Sequence, residues 1–193
     1  MILKIKSIVF VLFVLANFNA ISQTIKTKTP KRPKGQTDVI QLRCAPIANV
    51  RVAIIGLGMR GSDAVSRLTY IDGVEIVALC DMVEKNVKAC NETLKARGAS
   101  PALEFVGEDA WKKVEALPNV DLIYICTDWL NHAKMAIQGM KEGKHVVVEV
   151  PGALTMNEIW EIINTAEQTR KHCIDRKSTR LNSSHEWISR MPS

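Results

Sequence analysis

Residues Val50 to Gly61 read VRVAIIGLGMRG, and this stretch limits the possible folds more than any other part of the chain. Five of its first six residues are apolar, a short run suited to a strand buried on both faces of a parallel sheet. The run leads straight into Gly56-Leu57-Gly58-Met59-Arg60-Gly61, a G-x-G-x-x-G. In that pattern Gly56 permits the tight strand-to-helix turn, and Gly58 lets a pyrophosphate approach the backbone. Gly61 lets the following helix pack close to the sheet, with its first amides facing the phosphates. A glycine fingerprint alone is weak evidence. Here a second strand, VEIVALCD, ends in Asp81, twenty residues past Gly61. A carboxylate at that place accepts the hydroxyls of an adenosine ribose, so the combination favours dinucleotide binding over a structural turn.

From Val50 onward strand and helix patterns alternate, which predicts an α/β, doubly wound parallel sheet. After the glycine turn comes a helix around Ser62–Tyr70, then the strand ending at Asp81. Val83 to Arg97 follows as a helix, with Val83, Val87, Cys90 and Leu94 on one face and Gly98 as its stop. Leu103–Val106 reads as an edge strand and Glu108–Leu117 as a helix closed by Pro118. Val120 to Thr127 is a strand apolar enough to be central. It empties into Asp128-Trp129-Leu130-Asn131-His132, at the carboxyl end of the strand, where loops line the ligand crevice in a parallel sheet. A helix from about Asn131 to Gly143 leads to the strand His145–Val148 and then to Glu149-Val150-Pro151-Gly152. Thr155 and Glu158 form a capping box for a last helix that runs to about Arg170.

The net charge of +6 resolves once the chain is divided. Residues 1–50 carry a net +7, residues 51–174 a net −3 and residues 175–193 a net +2. The globular part is therefore mildly acidic and has no aromatic-studded basic groove, which argues against nucleic acid as a partner. The five cysteines form no C-x-x-C and none has a histidine at metal-ligand spacing, so neither a metal site nor a disulfide framework is expected. Core packing is the favoured role for Cys80 and Cys126.

Residues 1–22 begin with Lys4 and Lys6, continue through the apolar run from Ile8 to Ala16, and end in Ala20-Ile21-Ser22. That order describes a secretory signal peptide cleaved before Gln23, too short for a convincing membrane span, with an uncleaved anchor as the alternative. Export to the periplasm or the medium follows. Residues 23–49, rich in Lys, Thr and Pro, read as a solvated linker. Residues 50–174 form the dinucleotide-binding domain. In residues 175–193 the alternating pattern stops. DRKSTRLNSSH there looks like one reading frame of a common short-read library adapter, so the tail is set apart as non-native. A genuine polar, disordered tail is the alternative.

Across Val50–Ile174 the chain resembles the amino-terminal half of the Gfo/Idh/MocA family, in GLGMRG, the acid at Asp81, T-x-x-x-x-H from Thr127 to His132, and HVVVEVPG. The resemblance implies a nicotinamide-binding Rossmann domain whose second, substrate-binding domain is missing from this chain. In the family's dehydrogenases the last motif usually reads E-K-P, with a catalytic lysine; here that position is Val150, which can neither donate a proton nor polarise a hydroxyl. E-V-P with GLGMRG, Thr-x-Trp-x-x-His and an export signal is similar to glycoside hydrolase family 109. This likeness implies an NAD-dependent α-N-acetylgalactosaminidase acting on a terminal α-N-acetylgalactosamine. It implies hydrolysis by transient oxidation at C3, elimination and water addition, rather than by paired carboxylates. The tyrosine and histidine that act on the sugar are expected beyond Ile174. An exported NAD(P)-dependent sugar oxidoreductase of the same family is the alternative, and a third reading is a fragment that binds NAD without turnover. A homo-oligomer is compatible with the longer protein.

Carried over by position, Met59 and Arg60 contact the cofactor beside Gly56, Gly58 and Gly61, and Asp81 holds the ribose. Trp129, Leu130, Asn131 and His132 flank the nicotinamide side, and Glu149 and Val150 line the cofactor. Four of these have a structural alternative: Asp81 as a helix cap, His132 as an exposed cap residue, Glu149 solvating a turn, and Trp129 in the core. His145 and His172 receive no role.

Overall fold

Six parallel strands in the order β3-β2-β1-β4-β5-β6 build the centre of the fold. The strands are β1 Val50–Ile55, β2 Val74–Asp81, β3 Leu103–Val106, β4 Leu122–Ile125, β5 His145–Glu149 and β6 Cys173–Arg176. Between them run α1 Met59–Leu68, α2 Glu84–Ala96, α3 Ala110–Glu115, α4 Trp129–Lys141 and α5 Met156–Thr169. This computed structural model describes residues 30–176. The expected signal peptide, the start of the linker and most of the set-apart tail lie outside the described residues.

Alternation along the strands fills two cores. Val52 and Ile54 of β1 face the layer made by α1 and α2, with Ala64, Val65, Val87, Cys90 and Leu94. Ala53 and Ile55 face the layer of α3, α4 and α5, with Trp111, Val114, Ala136, Met140 and Ala166. A central strand covered on both sides needs an unbroken apolar run, which is why VRVAII reads as it does. Full burial of one such Ile, Leu or Val contributes roughly 1.5–3 kcal/mol, enough to hold the order of the layers.

The strand and helix pattern agrees with the sequence expectations, with shifts at the ends of elements. Helix α1 begins at Met59 rather than near Ser62, because Gly58 is its extended N-cap, so Met59, Arg60 and Gly61 form the first turn. Helix α4 begins at Trp129, since the Asp128 carboxylate accepts the amide of Leu130 and starts the helix there. The Thr155–Glu158 capping box on α5 is present as expected. Strand β6 had no counterpart in the sequence reading. It pairs Val148 with Asp175 and Glu149 with Arg176, two residues past the boundary read at Ile174.

The segment before β1 departs from a solvated linker. Arg32 grips the buried carboxylate of Glu167 on α5 with Nε at 3.0 Å and Nη2 at 2.9 Å. Gln36 donates to the same carboxylate at 2.6 Å, Arg170 donates to the Thr37 and Asp38 carbonyls, and Val39 packs on the core. Composition showed the charges of this strap but not the buried acid that receives them. No helix among the described residues is long and apolar enough to cross a membrane.

Candidate dinucleotide site

The strand order reverses between β1 and β4, and a crevice at the carboxyl ends of those strands is where a doubly wound sheet takes its ligand. The loop after β1 supplies the glycine turn. Gly56 has φ +88°, and a Cβ on it would lie 2.6 Å from the Cys126 carbonyl oxygen. A Cβ on Gly61 would lie 1.8 Å from the Gly56 carbonyl oxygen, so α1 can sit this close to the turn only with glycine there. Gly58 is different: its Cβ would meet nothing within 4 Å. Space is left over the backbone at that one position. Beside it the N-terminus of α1 has no side-chain cap and no acidic residue in its first turn, which leaves its amides and dipole directed at that space.

Asp81, at the end of β2, is bound to both neighbouring loops. Its Oδ2 accepts the Leu57 amide at 2.6 Å, and its Oδ1 accepts the Val83 amide at 2.8 Å and the Asn86 side-chain amide at 3.2 Å. An ionised carboxylate has about four acceptor positions, so one remains, on Oδ2. Asp81 therefore braces the loop that leads into α2 without capping the helix, whose N-cap is Val83, and keeps room for one hydroxyl as well.

After β4, the first turn of α4 carries Trp129 and Leu130, 62% and 78% exposed, so Trp129 is not a core residue. The Asn131 amide is turned onto Asp128 at 2.7 Å, and that bond is the main reason the Asp128 carboxyl sits below its ordinary range. His132 is 1% exposed, not a surface cap. Its Nδ1 lies 2.8 Å from the Pro151 carbonyl oxygen and its Nε2 3.0 Å from that of Thr127. With its ring enclosed in this way, it reaches the crevice only through the two loops it touches. Across the crevice, after β1, Met59 is 80% exposed, and next to the α4 loop, after β5, Val150 is 42% exposed.

Glu149 is buried rather than solvating a turn. Its Oε1 accepts the Tyr124 hydroxyl at 2.7 Å and Arg176 Nη1 at 2.8 Å. Burial pushes its pKa up, but these bonds together with the charges of Arg176 and Arg60 outweigh burial and hold it below the usual range. Arg176 belongs to the segment set apart by its sequence; within the Rossmann part, Tyr124 keeps Glu149 partnered. Burial and Glu149 push the Cys126 thiol up to about 12, which makes it a packing group and not a nucleophile. The sequence reading missed Tyr124, hidden in an apolar strand, and Asn86. It missed Asp128 as a cap too, although an acid just ahead of a helix pattern is the signal that would have found it.

A parallel sheet of this order with a glycine turn at its switch point defines a dinucleotide-binding Rossmann protein. Residues 50–175 match the family model described as an oxidoreductase family with an NAD-binding Rossmann fold, and the chain belongs to that Gfo/Idh/MocA family. A glycosyl hydrolase family 109 protein of Bacteroides fragilis is 50% identical over 159 residues, which cover 80% of this chain and 34% of the relative. An α-N-acetylgalactosaminidase of the same species is 44% identical over 147 residues, covering 76% and 34%. Among solved structures, an NAD-binding protein from Listeria innocua aligns with a TM-score of 0.56 at 25% identity, over 66% of this chain and 35% of that one. The chain spans about a third of the length of the curated relatives it matches.

Proposed function

We propose that this chain is the cofactor-binding part of an exported, NAD-dependent glycosidase that removes terminal α-N-acetylgalactosamine. The observation that carries the cofactor half is the free space over Gly58 beside an uncapped helix N-terminus. A pyrophosphate fits that space and takes the amides of α1 as donors. The single acceptor position left on Asp81 suits a ribose hydroxyl, while a 2′-phosphate would meet the carboxylate charge, which favours NAD over NADP. Met59, Trp129, Leu130 and Val150 supply apolar walls, and Arg60 a positive charge beside the phosphates.

Bound NAD supplies a reversible store for a hydride. Val150 brings no titratable group to the crevice, so these residues bind and orient; the groups that move the sugar's protons belong to the remaining length seen in the relatives. The substrate assignment is supported by the names of those relatives and by valine in place of lysine in the E-x-P motif. An outcome without net oxidation fits a site that lacks that lysine.

The test uses the full-length gene product. Expected are cleavage of an aryl α-N-acetylgalactosaminide with no net NADH accumulation, and loss of cleavage in Gly58→Ala. Absence of cleavage in NAD-loaded protein would overturn the substrate assignment, and substrate-dependent NADH accumulation would move the protein to the sugar oxidoreductases. Export is tested on the secreted product, whose first residue is expected to be Gln23.

A further inference from the structure

Resting on the reading of this crevice as a dinucleotide site, we propose that His132 is a positioning residue, a doubly donating clasp that fixes the spacing of the loops after β4 and β5. Its two ring nitrogens face two acceptors, the carbonyl oxygens of Thr127 and Pro151, at 3.0 and 2.8 Å. A carbonyl oxygen only accepts, so each contact calls for an N–H on the ring. A neutral imidazole has one N–H, and its other nitrogen would turn a lone pair on an oxygen lone pair inside the protein. Both contacts are satisfied only when both nitrogens carry hydrogen, and the ring is then a cation. Asp128, four residues earlier at the α4 cap, is held below its usual range mainly by Asn131 and in small part by the His132 ring.

The clasp has a clear mechanical consequence. Thr127 leads into Trp129 and Leu130, and Pro151 follows Glu149 and Val150, so the ring joins two neighbouring loops on one side of the crevice. The His132 backbone lies in the first turn of α4, which makes the anchor rigid. The distance between the loops is therefore set by the width of one imidazole. A glutamine offers its donors from a single nitrogen and cannot hold both carbonyls in that way.

Nuclear magnetic resonance on the full chain with ¹⁵N-labelled histidine reads the ring directly, with His132→Gln assigning the signals. Two N–H signals from His132 are expected, and one alone would overturn the clasp. In parallel, NAD affinity is measured for the unaltered chain, His132→Gln and His172→Gln. His172 is the control because it bonds Leu42 at the opposite end of the sheet. Misplaced walls should weaken NAD binding about tenfold or more in His132→Gln, with His172→Gln unchanged. Unchanged affinity in a folded His132→Gln chain would also overturn the proposal, and if that variant does not fold, the spectrum of the unaltered chain decides. Two N–H signals in a chain that takes no NAD would sink the dinucleotide reading and the positioning role with it, leaving only a brace between loops.

Discussion

The two ends of the sheet are built on opposite terms. At the amino end, polar side chains at the strand starts are matched within the protein. Arg51 holds Asp121 with Nε and Nη2, both at 2.8 Å, Lys144 donates to the Leu117 carbonyl at 2.5 Å, Asn49 donates to Glu75, and the His172 amide donates to His145. At the carboxyl end, α1 starts without a side-chain cap, and Met59, Met82, Trp129, Leu130 and Val150 are exposed. One end spends its chemistry on the fold; the other leaves donors and apolar surface facing a crevice. On the proposed function, the difference separates residues that hold the structure from residues held by it for a ligand.

The glycine turn is where that separation can be broken most sharply. Gly61→Ala drives a Cβ to 1.8 Å from a backbone carbonyl, so α1 must move off the sheet. A loss of about 3 kcal/mol or more is expected, read as a collapse of the denaturation midpoint. Gly58→Ala meets no protein atom within 4 Å and should leave the midpoint nearly in place while NAD binding is lost. If the two variants behaved alike, the glycines would share one role and the contrast drawn from them would fail.

Next in size is a buried acid away from the crevice. Glu115 on α3 is fully buried, neither carboxylate oxygen has a hydrogen-bond partner, and burial, helped by Glu142, pushes its pKa up to about 9. The folded state therefore binds a proton that the unfolded chain, with an ordinary carboxyl, gives up above about pH 4. Stability from this group is complete below that point and falls as pH rises through about 9. Glu115→Met removes the penalty of burying the acid and should stabilise the chain by about 3 kcal/mol at neutral pH, flattening a stability–pH profile between about pH 4 and pH 9. An unchanged profile would show that the carboxyl finds a partner.

Much of this division was legible in the sequence, and the parts that were not share a cause. VRVAII, VEIVALCD and the Thr155–Glu158 box state their structure locally, through period, turn chemistry and capping. The burial of His132 and Glu149 was not readable, because both partners of the first are backbone carbonyls and Tyr124, the partner of the second, lies 25 residues away in another strand. The strap from Arg32 to Leu42 was misjudged for the same reason: its docking depends on Glu167, 135 residues from Arg32. The glycine fingerprint was readable because its constraints are steric and lie within a few residues.

The matched end offers a smaller effect with a definite pH sign. The Arg51 bond is the main reason the Asp121 carboxyl is held down to about 2, so its stabilisation is present above the ordinary carboxyl range and is lost as pH falls through about 2. Asp121→Asn should bring acid unfolding to a higher pH, with little change in NAD affinity. A change in NAD affinity equal to that of a crevice variant would mean that the two ends are coupled.

The smallest change in stability is expected where exposure is greatest. Trp129→Ala removes a large side chain, yet one that is 62% exposed and packs little in the folded chain, so the unfolding midpoint should shift by no more than about 0.5 kcal/mol in equivalent free energy. NAD affinity should fall in the same variant, because the proposed function makes its aromatic face an apolar wall of the crevice. The comparison is decided by the ratio of the two effects. A stability loss as large as that of a core aromatic would return Trp129 to the structural residues. Lost affinity at constant stability would place it, with Gly58, among the residues that the fold holds out for its ligand.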